Sequence, residues 1–482
     1  MNDASKPFFT QALDALKSGD RRGAAALLWR ELREGNTSAK NLPSVAQLAA
    51  NIGEFDLAIE ASRRAVVPGS LDSLLAYWAM LGIYGRTQEA LADIGRQSNA
   101  VLEHPSVLHC RGTAATQLGR FDEAQELFRR ALARAPDMAP SWLSLAMLKK
   151  FDSGDPDIAA MEQLERQPAQ STEAHAILCY ALGKAYDDCG EPDRAFELFA
   201  RGAALRRGSA QFDPAGISAA AQAIIREFNA ENLNQLKPSG FAGQRSLFVT
   251  GLPRSGTTLV EQILLGHSAV ADGEEVNLFW AAMIPARGIG LENARAYERR
   301  SGSADPWGEI ARDYAHLIDQ RFRTPELVVD KSLGQSLFIG PMLHSMPDAR
   351  IAWLRRSPED VALSCFSTYF SRGLPWTWSL TDIAEYMRSE DALFAHWSEL
   401  FPERILAVPY EQLVQSPAEW SERLQQHFGL PVEAGIEKAS KAERTIGSAS
   451  VSQARESISA ARVGRSAAYE RHLGPFRERY YR

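Results

Sequence analysis

The sequence predicts two architectures in tandem: an all-α helical solenoid over residues 1–210, then an α/β domain over residues 211–482 built on a parallel, doubly wound sheet. Three observations carry this. A Gly-x-x-x-x-Ala pattern recurs through the first half at near-constant spacing, as a stacked helical repeat requires. A short apolar run, a glycine-containing turn and a helical pattern follow one another at Ser246–Leu265. Beyond them, strand-like runs alternate with helical stretches, the pattern of a sheet wound with helices on both faces. At 482 residues the chain exceeds one ordinary domain, and 45% apolar with 23% charged residues is a globular composition.

The repeat glycines and alanines are Gly19/Ala24, Gly53/Ala58, Gly85/Ala90, Gly119/Ala124, Gly154/Ala159 and Gly190/Ala195, at intervals of 34, 32, 34, 35 and 36 residues. That period is close to the 34 of a tetratricopeptide helix-turn-helix unit. The clearest copy is Gly119–Leu132, GRFDEAQELFRRAL; the first and fifth are degenerate. Gly119 is expected to turn the chain between helices, with Phe121, Ala124, Phe128 and Leu132 on the buried stripe of the second helix. A solenoid of this kind presents a groove suited to a peptide or protein partner. The alternative is that it only braces the chain or forms a homodimer. The array is expected to end near Leu205, and Asp213 with Pro214 reads as the N-cap and first-turn proline of a helix through Phe228.

The net charge of −7 argues against a general nucleic-acid or membrane-surface binder, so an anionic ligand must be held by a local group of cations. Four cysteines, Cys110, Cys179, Cys189 and Cys365, have neither zinc spacing nor disulfide-framework density. Reduced thiols in a cytoplasmic protein are expected, with no metal site. The start of the chain has no basic-then-apolar leader, and no run of about 18 apolar residues occurs, so no export signal or membrane anchor is expected.

Ser246–Thr250 reads as a buried strand, Gly251–Gly256 as a turn, and Leu259, Ile263 and Leu264 as a helix face. The glycines keep the GxxxxG spacing of a phosphate-binding loop, whose backbone N–H groups point at an anion at the positive end of a helix. The lysine of GxxxxGK[ST] is missing. Thr257 and Thr258 stand in its place, and the nearest cation is Arg254, which can fork two donors onto phosphate or sulfate oxygens. Later strands are expected at Glu326–Asp330, Arg350–Leu354 and Arg404–Val408. In such a sheet the ligand lies at the carboxyl ends of the strands. There the sequence places Lys331, Arg356 with Ser364 eight residues on, and Tyr410. Ser357, Pro358, Glu359 and Asp360 read as ordinary capping of the helix between Arg356 and Ser364.

Pro253–Leu259, PRSGTTL, resembles the 5′-phosphosulfate loop of sulfotransferases that use 3′-phosphoadenosine-5′-phosphosulfate (PAPS), and Arg356/Ser364 resembles their 3′-phosphate signature. Gly273-Glu274-Glu275 follows the loop with Glu275 21 residues after Arg254, as in tyrosylprotein sulfotransferases. With the repeats, the whole is similar to bacterial tetratricopeptide-sulfotransferase fusions. The resemblance implies PAPS as sulfuryl donor, no metal, and a hydroxyl acceptor, with tyrosine in a peptide or protein favoured over a small molecule or glycan. It implies that Arg254, Ser255, Gly256, Thr257 and Thr258 hold the 5′-phosphosulfate, that Arg356, Ser364 and Tyr410 hold the 3′-phosphate side, and that Ser450 and Arg455, with Val451 and Gln453, belong to a late loop over the cofactor. Lys331 is implied at the leaving oxygen, with Asp330 to orient it. Glu275 is implied as the base; two adjacent carboxylates would raise each other's pKa toward that task. His267 is the competing base. The family's arginine four residues beyond the clamp serine is replaced by Thr368. Two other classes remain on the sequence: a phosphotransferase on a variant loop, and a repeat scaffold carrying an inactive nucleotide-binding domain.

Overall fold

The computed structural model of the protein describes residues 7–34, 41–167, 171–208, 211–371, 374–438 and 458–482. Its first half is a run of paired helices, beginning with Phe8–Lys17 and Arg21–Glu34 and ending with Thr172–Asp188 and Pro192–Arg207. All six repeat glycines adopt positive φ, from +70° at Gly85 to +89° at Gly154. This left-handed turn costs little only for glycine, which explains its recurrence. Ala24, Ala58, Ala90, Ala124 and Ala195 are buried beneath the turns. The fifth copy slips: Ala159 is exposed, and Ile158 and Met161 fill the interior. The first copy, degenerate in sequence, keeps both the turn and the buried alanine. Close helix approach uses a second glycine. A Cβ on Gly112 would lie 2.6 Å from Phe128, and one on Gly183 would lie 2.5 Å from Phe199, so each phenyl ring packs onto bare backbone.

The second half holds a five-stranded, all-parallel sheet in the order β2-β3-β1-β4-β5. The strands are β1 (Ser246–Gly251), β2 (Val270–Glu274), β3 (Leu327–Asp330), β4 (Ile351–Arg355) and β5 (Ile405–Pro409). Both faces are covered. Phe248, Val328 and Trp353 point into a core with Tyr314, Trp307 and Trp397, while Leu247, Val249 and Val329 point into another with Val260 and Leu264. This is the doubly wound arrangement the alternating pattern predicts. β2 is the strand the sequence reading omits: VADGE is short, polar and glycine-containing, and its pairing with β3 shifts register between Val270 and Asp272. Consequently Glu274 and Glu275 do not open a helix. Asn277, at φ +48°, turns the chain after them, and the next helix begins at Phe279. Asp213 caps the helix Pro214–Glu227 as expected, accepting from the Gly216 N–H at 3.0 Å.

The solenoid is fastened to the sheet domain at both ends. Near its start, Arg21 is 2% exposed and pairs with Glu54 at 2.7 Å and with Asp313, on the helix Pro306–Phe322, at 3.3 Å. Near its end, Tyr180 donates to the carbonyl of Phe366 at 3.1 Å and meets Trp378 edge-on, while Phe196 stacks on His472. The apolar core of the last repeats therefore runs continuously into the second half. No helix among the described residues is long and apolar enough to cross a membrane.

Burial pushes the Glu54 carboxyl up, but hydrogen bonds from His316, Gln320 and Arg21 outweigh it and hold the group down to about 2. Its contribution to stability is complete above the ordinary value near 4.5 and is lost as pH falls through about 2. Arg21→Ala takes from Glu54 and Asp313 the buried cation they share, leaving Gln320 and His316 on Glu54 and Arg22 on Asp313, and is expected to cost about 3–5 kcal/mol at pH 7. Urea denaturation checks this. The deficit relative to wild type is expected to shrink as pH falls from about 5 toward 2, and equal midpoints at pH 7 would contradict the role given to Arg21.

Candidate active site

Each strand of the sheet delivers one of the singled-out residues at its carboxyl end. Read across the sheet order, these are Glu275 after β2, Lys331 after β3, the Arg254 loop after β1, Arg356 after β4 and Tyr410 after β5. Neighbouring strands lie about 4.8 Å apart, so the five form a row along one edge.

The loop is shaped by two constraints. Arg254 sits at φ +68°, and Gly256 at φ +107° serves as N-cap of the helix Thr257–Leu265. A Cβ on Gly256 would fall 2.5 Å from the Tyr410 ring, so glycine is required by conformation and by the approach of that ring. Thr257 and Thr258 are buried in the first turn, where backbone N–H groups have no carbonyl four residues back. The Ser255 hydroxyl is turned inward, donating to the Leu252 carbonyl at 2.7 Å.

The structure brings the loop and the clamp into contact. Arg254 Nε donates to Ser364 Oγ at 3.0 Å. Arg356 donates through Nη1 to the Arg254 carbonyl at 3.2 Å and through Nη2 to the Arg462 carbonyl at 2.5 Å, and its guanidinium lies 4.5 Å over the Tyr410 ring. Arg356 Nε is buried with no partner. Burial pushes the Arg254 guanidinium down to about 10, and Arg462 and Arg356 push in the same direction. Three guanidinium groups thus meet around a helix N-terminus, an arrangement suited to a multiply charged anion.

Arg462 was not singled out by sequence beyond its place in an arginine-rich tail with eight Arg against three Glu from residue 444 onward. What positions it is Asp360. Asp360 and Glu359 are not the plain capping acids the sequence predicts. Asp360 is 2% exposed and accepts from the N–H groups of Gly464 at 2.8 Å and Ser466 at 2.9 Å, and Glu359 accepts from Tyr481 at 2.9 Å. Both acids hold the C-terminal segment against the helix Pro358–Phe366. Nor does the Ser357 side chain cap that helix; its backbone N–H donates to Glu411 at 2.9 Å. Thr368 stays local, donating to the Ser364 carbonyl at 2.7 Å. Ser450, Val451, Gln453 and Arg455 lie outside the described residues.

At the other end of the row, Lys331 is 1% exposed and its ammonium stands 2.5 Å from Glu275 Oε1 and 3.7 Å from Glu261. Glu261 is the carboxylate that sequence reasoning missed. The available signal was a glutamate inside the apolar stripe of the loop helix, where it is 1% exposed. Glu274 and Glu275 do not share a site as expected: Glu274 pairs with Arg321, Glu275 with Lys331. Asp330 does not orient Lys331 either. It accepts from Tyr314 at 2.7 Å and from Ser332, and burial pushes its carboxyl up to about 6 against those hydrogen bonds. His267 is 1% exposed with both ring nitrogens engaged, Nε2 with the Pro431 carbonyl at 2.9 Å and Nδ1 with the Ala269 N–H at 3.0 Å.

Comparison with known proteins agrees with this organisation. Residues 246–434 match the model of the sulfotransferase family, and residues 105–138 and 178–211 match tetratricopeptide-repeat models. The chain therefore carries a sulfotransferase-family domain behind tetratricopeptide repeats. An uncharacterized protein of Aquifex aeolicus is 28% identical over 385 residues, 77% of this chain and 50% of that one, so the chain spans about half the length of the curated relative it matches. Among solved structures, the sulfotransferase domain of the Synechococcus PCC 7002 olefin synthase is 18% identical, with 48% of this chain and 91% of that domain covered and a TM-score of 0.33. Mouse sulfotransferase SULT7A1 complexed with PAP is 14% identical, with 52% and 89% covered and a TM-score of 0.28.

Asp360→Asn removes the charge that gathers the Gly464 and Ser466 amides. Charge-assisted bonds contribute about 1.5–3 kcal/mol each, so exchange of those two amides is expected to accelerate by about tenfold or more. Hydrogen exchange read by mass spectrometry checks this, and unchanged protection at residues 464–466 would contradict it.

Proposed function

We propose that the protein transfers the sulfuryl group of PAPS to a hydroxyl acceptor. One observation carries the reading: the buried, unpartnered Arg356 Nε lies amid the Arg254, Arg356 and Arg462 group at the N-terminus of the loop helix, on the same sheet edge as the Glu275/Lys331 pair. These residues fit a nucleotide carrying phosphate at both the 3′ and 5′ positions. The loop from Arg254 to Thr258 suits the 5′-phosphosulfate, and Arg356, Ser364 and Tyr410 suit the 3′-phosphate; Ser450 and Arg455 are proposed as part of a covering loop. Bound there, PAPS supplies an activated sulfuryl group and a bisphosphate that leaves.

The chain's own residues do the rest. Glu275, partly exposed beside a buried ammonium, takes the proton of the acceptor hydroxyl. Lys331, held from two sides by Glu275 and Glu261, keeps a fixed positive charge where negative charge grows during transfer. We further propose that residues 1–210 act as the partner-binding half and 211–482 as the transferase half, that the acceptor is a tyrosine of a peptide or protein, and that the protein works in the cytoplasm.

Calorimetry without metal tests the donor site. Wild type is expected to bind 3′-phosphoadenosine-5′-phosphate, the product nucleotide, in preference to ATP. Arg356→Ala is expected to weaken that binding about 10- to 100-fold through loss of charge-assisted hydrogen bonds. Glu275→Ala is expected to keep the binding and lose about 10²–10⁴ in turnover. Tighter, magnesium-dependent ATP binding would replace this reading with phosphoryl transfer, and binding indifferent to Arg356→Ala would remove the clamp.

A further inference from the structure

The second and third helix pairs of the solenoid, which end at Arg64 and Ile94, meet the sheet domain around a cavity of about 230 Å³. From the repeats it is lined by Phe55, Ile83 and Tyr84; from the segment after β2, by Glu275, Leu278 and Trp280. The residue proposed as base therefore faces a chamber whose other half is built by the repeats.

The lining is aromatic. Phe55 and Tyr84 are stacked with centroids 4.2 Å apart and planes at 22°. Ile83 and Trp280, 52% and 43% exposed, both stand on this lining, one from the repeats and one from the sheet domain. Two charged residues line the chamber, and one of them, Arg321, is engaged with Glu274. The other, Glu275, accepts from Lys331 through Oε1, and its second carboxylate oxygen can accept from an O–H donor. Size agrees: an apolar cavity of about 150 Å³ takes a benzene ring, so this one takes a phenol with room for its attachment. Chemistry agrees as well. A carboxylate is a weak base, and a phenol, with a pKa near 10, is a far better proton donor to it than an alkyl alcohol.

We propose that this seam is the acceptor site and that it takes a phenolic hydroxyl, the ring lying against Phe55, Tyr84 and Trp280 with its O–H donated to Glu275. The proposal rests on the sulfuryl-transfer reading for what happens next, but it is a binding claim in its own right. The solenoid is then half of the acceptor pocket rather than a remote tether. The tyrosine proposed above and a free aromatic compound present the same phenol to this chamber, and the test separates them.

The test is equilibrium binding of p-cresol to the full chain, with and without 3′-phosphoadenosine-5′-phosphate, with 4-methylcyclohexanol as the non-aromatic control. Wild type is expected to bind p-cresol at least about tenfold more tightly than the control, in line with the stabilisation that paired rings provide. Two repeat variants, Tyr84→Ala and Ile83→Asp, are each expected to weaken p-cresol about tenfold while leaving the nucleotide affinity within about twofold. Ile83 is exposed, so its replacement probes the chamber without opening the core. Equal affinity for the two compounds, or p-cresol affinity unchanged in both variants, would overturn the proposal. If wild type binds p-cresol as expected but no nucleotide, the failure lies with the donor site instead. A hexapeptide with one tyrosine, bound about tenfold more tightly than p-cresol, assigns the phenol to polypeptide; equal affinity assigns it to a small aromatic compound.

Discussion

The convergence of three guanidinium groups on one helix N-terminus is the constraint around which the second half of this protein is arranged. Arg254, Arg356 and Arg462 come from a loop, a strand end and a C-terminal segment far apart in sequence, in a chain whose net charge is −7. Like charges brought together in a partly dry site repel, and the protein must restrain them. Asp360, the backbone carbonyls of Arg254 and Arg462, and the face of Tyr410 provide that restraint. The left-handed turn at Arg254, the glycine at 256 and the docking of the tail onto the clamp helix all serve the same convergence. A bound anion would relieve that repulsion, in keeping with the bisphosphorylated nucleotide proposed for the site.

The Lys331 end of the row follows opposite electrostatics. There a single buried ammonium is compensated by two carboxylates, one buried and one partly exposed. The buried Glu261 fixes the ammonium, and the exposed Glu275 keeps one edge toward the seam. The cationic half proposed for the donor and the carboxylate half proposed for the acceptor lie on one sheet edge because parallel strands all end on the same side.

Much of this was legible in the sequence because it is local. The repeat turns depend on one glycine each, and all six were found. The Arg254 loop and the Ser364 clamp lie on motifs whose spacing fixes backbone geometry, and they prove to touch. What escaped was tertiary. β2 owes its existence to pairing with β3 rather than to its own polar residues. Asp360 resembles any first-turn acid until the tail lands on it, and Glu261 is an ordinary helical glutamate until Lys331 arrives beside it. The pairing of Glu274 with Arg321 depends likewise on a helix some fifty residues further on. The repeats, readable as a separate module, share a continuous core with the clamp helix, which no period in the sequence reveals.

The place of the nucleotide on the sheet edge is the decisive point. A crystal structure of the protein with 3′-phosphoadenosine-5′-phosphate tests it most directly. The 3′-phosphate is expected within hydrogen-bonding distance of Arg356 and Ser364, with the 5′-phosphate over the loop from Arg254 to Thr258 and its free edge toward Lys331. A nucleotide in the reverse orientation, or one bound away from the three arginines, would contradict it.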